Sequence, residues 1–561
     1  MTALPRPAVV SEEAARRLPR LALILFCSVY VLPGLFGRGP WKNADVTAFG
    51  FMSSIARGTS GWLDPRIASL PADGGLLPYW IGAGSIIGLG RWLGDPLAAR
   101  LPFALLLLGV LALTWYACYH LARTDAAQPV SLPFGGGASP VDYSRAIADG
   151  AVLALIATLG LLQLGHETTP ELVQLFATSL LLYAVAACPY RGLGPRLAAL
   201  LALPILASSG APSVAAGLGV LAAGLCLRSH YPAVRAFVPW LLGSTLLAAS
   251  IAFALDAWAW RVRVDLAADD ALGIARLLAW FTWPALPLAL ITLWRWRAQI
   301  DKRHISAPLL IVLVGIGACL ALRGSDRALL LALPGLAVLA AFALPTLKRG
   351  FTAAVDWFSV SFFSLAAVIV WVIYLAMQTG WPEQPASNVR RLAPGFLPQF
   401  EWLELLVGLA VTLAWLWLVR WRIGRHRHPL WKSMVLPASG VALCWSLLMS
   451  LWLPLLDHAR SHQPLIERIG PLVQTGRCVW APGAPTGLLA ALEHERREPI
   501  VGSPRAADAV RCGTLLIARS RHRSDEDRPI RIPAGWERIG RAQHPSDRDN
   551  WIVVYRRSPM P

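Results

Sequence analysis

Long apolar runs broken by short polar segments fill most of the chain. A helix needs roughly 20 apolar residues to cross a bilayer. Runs near that length fall at 21–36, 100–122, 146–165, 171–188, 197–210, 213–228, 236–255, 278–296, 307–322, 328–346, 357–379, 402–421 and 433–453. They predict an all-α polytopic membrane protein of about 13 transmembrane helices, several of them short for a full crossing. The stretch LLPYWIGAGSIIGLG from Leu76 is different. Its apolar core is only about 15 residues long and is interrupted by glycines, so it is read as an in-plane or re-entrant juxtamembrane helix.

After about Leu456 the charges become dense and the apolar runs short. GRCVWAPG (476–483) and RCGTLLIARS (511–520) read as buried strands, TGLLAALEHERRE (486–498) as a helix between them, and NWIVVYRR (550–557) as a final strand. The predicted layout is an N-terminal segment over 1–20, a membrane domain over 21–453 and a small C-terminal α/β extramembrane domain over 454–561. A first external loop, 37–99, carries the juxtamembrane helix.

Composition supports this reading: 56% of the 561 residues are hydrophobic, 15% are charged, and mean hydropathy is +0.52. Such a chain is no ordinary soluble globule. The net charge of +18 would suit nucleic acid, but the Lys and Arg sit in short loops between apolar runs. These are PYRGLGPR (189–196), RSHYPAVR (228–235), WRAQIDKR (296–303), LKRG (347–350) and RIGRHRHPLWK (422–432). They share one side only if the Leu76 run does not cross, and with Arg16, Arg17 and Arg20 ahead of the first run that side is cytoplasmic. The expectation is a multi-pass inner-membrane protein with a periplasmic C-terminal domain and no nucleic-acid partner. The first run has no cleavage-type site after it and is expected to stay as an anchor. Six cysteines lie in or beside apolar runs, while Cys478 and Cys512 lie in the tail. An oxidising compartment favours a disulfide between those two, and two buried free thiols are the other reading.

Charges kept at a membrane face are the natural candidates for chemistry. Asp45, just past the first run, is the leading carboxylate, with a solvated loop acid or a helix N-cap as its structural reading. Glu167 and Glu171 in HETTPEL (166–172) come next; Glu171 also suits the start of the following span. His166 reads more readily as a polar residue at head-group depth than as a metal ligand. Cations on the same predicted face are Lys42, Arg57, Arg66, Arg100, Arg261, Arg263, Arg323 and Arg327. Arg323 and Arg327 flank the turn RGSDR, where Asp326 is the expected partner. Trp258, Trp260, Trp280 and Trp283 read as an interfacial belt. No phosphate-binding glycine loop, CxxC pair, HExxH or internal repeat is present.

GPWKNADVTAFGFM (39–52) and LPYWIGAGSIIGLGRWLGDPLAARLPFALLLL (77–108) together resemble the N-terminal region of the GT-C integral-membrane glycosyltransferases. They are most similar to the 4-amino-4-deoxy-L-arabinose lipid A transferases and the protein O-mannosyltransferases. In those families an acidic pair follows the first span, a P-x-x-YW-like segment comes next and A-x-RLP opens the following span. The equivalents here are Asp45, Pro78-Tyr79-Trp80 and Ala99-Arg100-Leu101-Pro102, while HETTPEL resembles a second, outward acidic turn. There are two departures: the acidic pair reads Ala44-Asp45, and the family's phosphate-binding lysine before the YW segment has no match in PADGGLLPYW. The resemblance implies a GT-C-like bundle, with Asp45, Glu167 and Glu171 as catalytic carboxylates. Placement on the predicted outer face makes Lys42, Arg57, Arg100, Arg323 and Arg327 candidate substrate-binding residues, and Tyr79 and His166 join them from the resembling segments.

The function expected from both lines is transfer of a sugar from a polyprenyl-phosphate donor to lipid A or another envelope acceptor, among membrane lipids at the outer face of the inner membrane. No cofactor is required by this reading; a divalent metal ion is left open. A transporter or flippase for lipid-linked saccharide is the alternative, favoured by broken helices and inverted repeats. A scaffold with dispensable carboxylates is the third reading.

Overall fold

Among the described residues eight helices are long and apolar enough to cross a membrane, namely Asp95–Ala122, Pro170–Ala187, Pro232–Ala254, Arg303–Ala321, Asp326–Thr346, Gly350–Thr379, Trp402–Arg422 and Lys432–Leu451. Leu272–Phe281 and Ala285–Arg295, bent by 92° at their break, make a ninth if taken as one span. The computed structural model describes residues 7–130, 136–259, 271–423, 429–496, 498–505, 512–521, 532 and 534–558. The other expected spans correspond to the helices Arg20–Val31, Pro140–Ala157, Leu193–Ser208 and Pro212–Leu227, of 12, 18, 16 and 16 residues. At 1.5 Å per residue the 16-residue helices reach about 24 Å, short of a hydrocarbon core of about 30 Å. The expected total of about 13 exceeds the eight or nine because three of these helices are short and Pro140–Ala157 carries Asp142, Arg145 and Asp149. The Leu76–Leu93 helix is not among the spanning set.

The chain divides into two compact units. The first comprises Met1–Leu35, Phe103–Ile369 and Leu403–Ser450. Its centre is a bed of small and branched side chains, with Ala148, Ala151, Leu181, Ala199, Leu203, Ala341 and Phe342 all buried. Where lipid is the solvent, helices gain from close backbone approach rather than from hiding apolar surface, so small residues line their contacts. Gly315 shows this: a Cβ there would lie 2.6 Å from the backbone nitrogen of Ala332. The Trp402–Arg422 helix, by contrast, leaves Leu403, Leu406, Leu413, Leu416 and Trp417 exposed. That is a lipid-facing surface, since an apolar patch of this kind has no place in water.

Several polar segments of this unit gather at one end. Val130 N–H donates to the Ala8 carbonyl at 2.9 Å, Leu430 N–H to Ala14 at 2.9 Å, and the Trp431 indole N–H to Arg16 at 2.8 Å. Tyr231 donates to Asp125 at 3.3 Å. The N-terminal segment, the turn after Ala122 and the loops around 190, 230, 300 and 430 thus share contacts, although they are far apart in sequence.

The second unit comprises Phe36–Pro102, Val370–Trp402 and Leu451–Pro561. The first loop therefore folds with the tail. Its Ala44–Ala56 helix packs on the Leu76–Leu93 helix and on the tail helix Thr486–Glu495. Gly50 permits the last contact, because a Cβ there would sit 2.5 Å from Ala490 Cβ. A two-residue hairpin, β1 (Arg66–Ile67) and β2 (Leu70–Pro71), is tied to the same helix by Ala68 N–H donating to Glu493 at 2.9 Å.

The tail sheet contains β3 (Val479–Trp480), β4 (Ile500–Val501), β5 (Thr514–Ser520), β6 (Trp536–Gln543) and β7 (Asn550–Arg557), in the order β4-β3-β5-β7-β6. β3 runs parallel to β4 and β5, while β7 pairs antiparallel with β5 and β6. Cys478 and Cys512 are joined in a disulfide just before the adjacent strands β3 and β5. The β4 and β6 strands had no sequence counterpart: β4 is two residues long, and β6, WERIGRAQ, is an edge strand in which only Ala542 is buried. Such a strand shows little apolar alternation.

Candidate active site

Asp45 lies in the first turn of the Ala44–Ala56 helix and is buried, 1% exposed. Its Oδ2 accepts from the backbone N–H of Trp41 at 3.1 Å and from Arg38 at 3.3 Å. The carboxylate therefore reaches back over the turn that delivers it, at the helix end where negative charge is favoured. Both ion-pair side chains are buried. Arg38 also stands 4.6 Å over the Trp41 ring, and Arg460 stands 5.4 Å from the same ring. Asp457 accepts from the Trp41 indole N–H and from Gly39 N–H, both at 2.9 Å. Arg100, 4% exposed, donates to the Gly39 carbonyl at 2.8 Å, with Arg38, Asp45 and Asp457 as its charged neighbours.

This cluster corrects the picture of Asp45 as an exposed loop acid. Buried Asp45 and half-buried Asp457 are set with the buried guanidinium groups of Arg38 and Arg100 beside Trp41. Arg38 and Asp457 were missed by sequence reasoning. Arg38 had a faint signal in its position seven residues before Asp45; Asp457 had none, since it stands more than 400 residues away.

The other candidates of this unit have mostly structural surroundings. Lys42 bonds through its backbone N–H to the Arg460 carbonyl at 2.8 Å. Burial lowers the pKa of its ammonium from the ordinary value; Asp547 acts against that shift and Arg460 adds to it. Arg57 pairs with Asp95 at 3.2 Å and donates to His494 Nδ1 at 2.8 Å, so its charge is already engaged. Arg66 pairs with Asp64 at the surface. Tyr79 is buried with its ring 5.0 Å from Phe51.

In the first unit, Glu167 is 1% exposed and Glu171 6%. Glu167 accepts from Gln163 at 2.9 Å and from Arg327 at 2.5 Å; Glu171 lies 3.9 Å from the same guanidinium. Asp326 is therefore not the partner of the Arg327 side chain: it accepts from Arg327's backbone N–H at 2.8 Å, as the first residue of its helix. Arg323 occupies the left-handed backbone region, φ 57°, at the close of the Arg303–Ala321 helix. His166 places Nδ1 2.6 Å from the Leu162 carbonyl and Nε2 2.9 Å from the Tyr30 carbonyl. A neutral ring can donate to only one of these; the imidazolium donates to both. Its ring packs against Tyr30 and Trp445.

Trp280 and Trp283 are exposed at the bundle surface, as a belt residue would be. Trp260, Arg261 and Arg263 lie outside the described residues. Among the described residues no group of three or more His, Cys, Asp or Glu side chains is arranged to hold a metal ion.

A membrane helix bundle with a small sheet is a fold that this chain shares with proteins of known structure. Two such structures are of ArnT from Cupriavidus metallidurans. The form bound to undecaprenyl phosphate matches with a TM-score of 0.59 at 13% identity, covering 95% of this chain and 97% of that one. The apo form matches with 0.59 at 14% identity, covering 95% and 96%. No protein-family model matches the sequence, and no curated protein does. At this identity the likeness is one of fold.

Proposed function

We propose that the protein is a glycosyltransferase that moves a sugar from a polyprenyl-phosphate donor to an envelope acceptor, lipid A or another glycan-bearing molecule, at the outer face of the inner membrane. The observation that carries this is the match of fold over 95% of the chain to a protein solved with undecaprenyl phosphate. In the reaction the bond from the anomeric carbon to the donor phosphate breaks, a bond to an acceptor oxygen forms, and polyprenyl phosphate leaves. A guanidinium offsets the charge that grows on the departing phosphate, and a carboxylate takes the acceptor's proton or orients the acceptor. Arg38 and Arg100 beside Asp45 are one set with that composition; Arg327 beside Glu167 and Glu171 is another. An acceptor that is itself a phosphate is already ionised, and the carboxylate then only orients it or holds an amino-sugar ammonium.

The purified protein in lipid nanodiscs, given polyprenyl-phosphate sugars, is expected to release polyprenyl phosphate in step with glycosylated acceptor. Comparing lipid A, envelope glycan and glycoprotein masses with and without the gene identifies the acceptor. Movement of an intact lipid-linked sugar across the bilayer without bond cleavage would instead support the transporter reading, whose structural support is the 92° break between Leu272–Phe281 and Ala285–Arg295.

A further inference from the structure

At the end of the first unit where the basic loops gather, three helix ends meet at one tyrosine. Arg123 follows the Asp95–Ala122 helix, Tyr190 follows Pro170–Ala187, and Arg303 opens Arg303–Ala321. The Arg123 guanidinium lies 4.7 Å from the Tyr190 ring centroid and that of Arg303 lies 5.9 Å from it. His120, 2% exposed, stacks on the same ring at 5.5 Å and 17°. Its Nδ1 is buried with no hydrogen-bond partner, and so is Nε of Arg303. Arg123, Arg191 and Arg303 are all charged neighbours of His120.

Counter-charge is short at this place. Asp301 is taken by Lys302 at 2.9 Å, which leaves Asp125, bonded to Tyr231, as the acid near Tyr190 against three guanidinium groups. Among the described residues Arg123, Arg191 and Arg303 have no carboxylate within 4.0 Å. Holding like-charged guanidinium groups around one buried imidazole costs free energy unless an anion joins them. Cations at helix C-termini explain part of the arrangement, since Arg303 donates to the Val185 carbonyl at 3.4 Å. They do not explain the convergence on Tyr190, nor the two orphaned nitrogens.

We propose that Arg123, Arg303 and Tyr190, with Arg191 at the rim, form a binding site for a phosphate group, carried by an anionic phospholipid of the leaflet that borders the basic loops. Guanidinium groups suit phosphate oxygens, and basic pockets between helix ends are where anionic head groups settle. Leu193 and Leu227, close in sequence to Arg191 and to the Tyr231 loop, are exposed and offer apolar surface to the acyl chains. The site is independent of the transferase reading and uses none of its residues.

Native mass spectrometry of the full-length protein in detergent, titrated with phosphatidylglycerol or phosphatidylcholine, tests this. Phosphatidylglycerol adducts are expected to survive at collision energies that strip phosphatidylcholine. Arg123→Gln is expected to lower the anionic preference about fivefold, as is Arg191→Gln to a smaller degree. Arg228→Gln and Arg235→Gln, exposed arginines of the neighbouring loop, are expected to leave it unchanged. Millimolar inorganic phosphate that raises the melting temperature of the wild type but not of Arg123→Gln would assign the same site to free phosphate; no such effect, with the lipid preference intact, assigns it to the head group. Equal retention of the two lipids together with no phosphate effect overturns the proposal. So does a preference that Arg228→Gln reduces as much as Arg123→Gln, because the charge would then act diffusely. Arg303→Gln is avoided as the deciding variant because it also removes a helix cap.

Discussion

Arg327 lies 2.5 Å from Glu167 and 3.9 Å from Glu171, so one guanidinium serves two buried carboxylates that precede it by more than 150 residues. Removing one member of a buried ion pair typically costs about 3–5 kcal/mol, because it leaves an uncompensated charge. Arg327→Gln removes a partner from both carboxylates at once and is expected to lower the melting temperature in detergent more than Glu167→Gln or Glu171→Gln. The triple variant Arg327→Gln/Glu167→Gln/Glu171→Gln is expected to recover much of that loss. Additive losses across the series would show that the three groups do not act together.

Asp45→Asn carries two effects that need separating. Loss of a positioned base lowers turnover by about 10²–10⁴. Loss of the carboxylate also removes an ion-pair partner of buried Arg38, so the variant is expected to be less stable than an exposed-loop substitution would be. Asp45→Asn/Arg38→Met is expected to regain stability without regaining sugar transfer. Wild-type transfer by Asp45→Asn would remove the 38–45 cluster from the chemistry and leave Glu167 and Glu171 as the candidates.

Acid is expected to destabilise the tail. Burial, with Lys42 second, pushes the His544 pKa down to about 4; burial, with Arg57 second, does the same to His494. Each is also held neutral by a donor, Ser546 N–H on His544 Nδ1 and Arg57 on His494 Nδ1. A histidine whose pKa is lower in the folded state takes up its proton first on unfolding. Its stabilisation is therefore complete above about pH 6.5 and is lost as pH falls towards about 4. Glu493, whose pKa burial raises, acts in the opposite sense at the acid end. Thermal melts should fall between pH 7 and pH 5, and His544→Gln should flatten part of that slope. Melts that rise on acidification would contradict the assignment.

Reporters inserted after Arg123, Ser229 and Lys302 are expected to lie on the same side of the membrane, and that side to be the cytoplasm. The shared contacts of these turns call for the first part, and the density of Lys and Arg for the second. Opposite signals from any two of the three would break the packing described for the first unit.

The sequence alone determined which parts of the chain enter lipid. Transfer of an apolar run into hydrocarbon depends on that run's own composition, so the eight long spans stand close to where the apolar pattern placed them. The same locality made the tail helix and three of its strands legible, and the resemblance at 39–52 and 77–108 anticipated the fold. Side-chain pairing is not local in this way. Nothing near Asp326 says that Arg327 turns instead to Glu167, and nothing near Trp41 says that its indole meets Asp457. Those choices were made by helix packing, which sets the distances on which charge pairing depends. For the same reason only the tertiary structure decided that the first loop folds with the tail, and that the 189–196 and 296–303 loops, read one by one as topology signals, meet Arg123 at Tyr190.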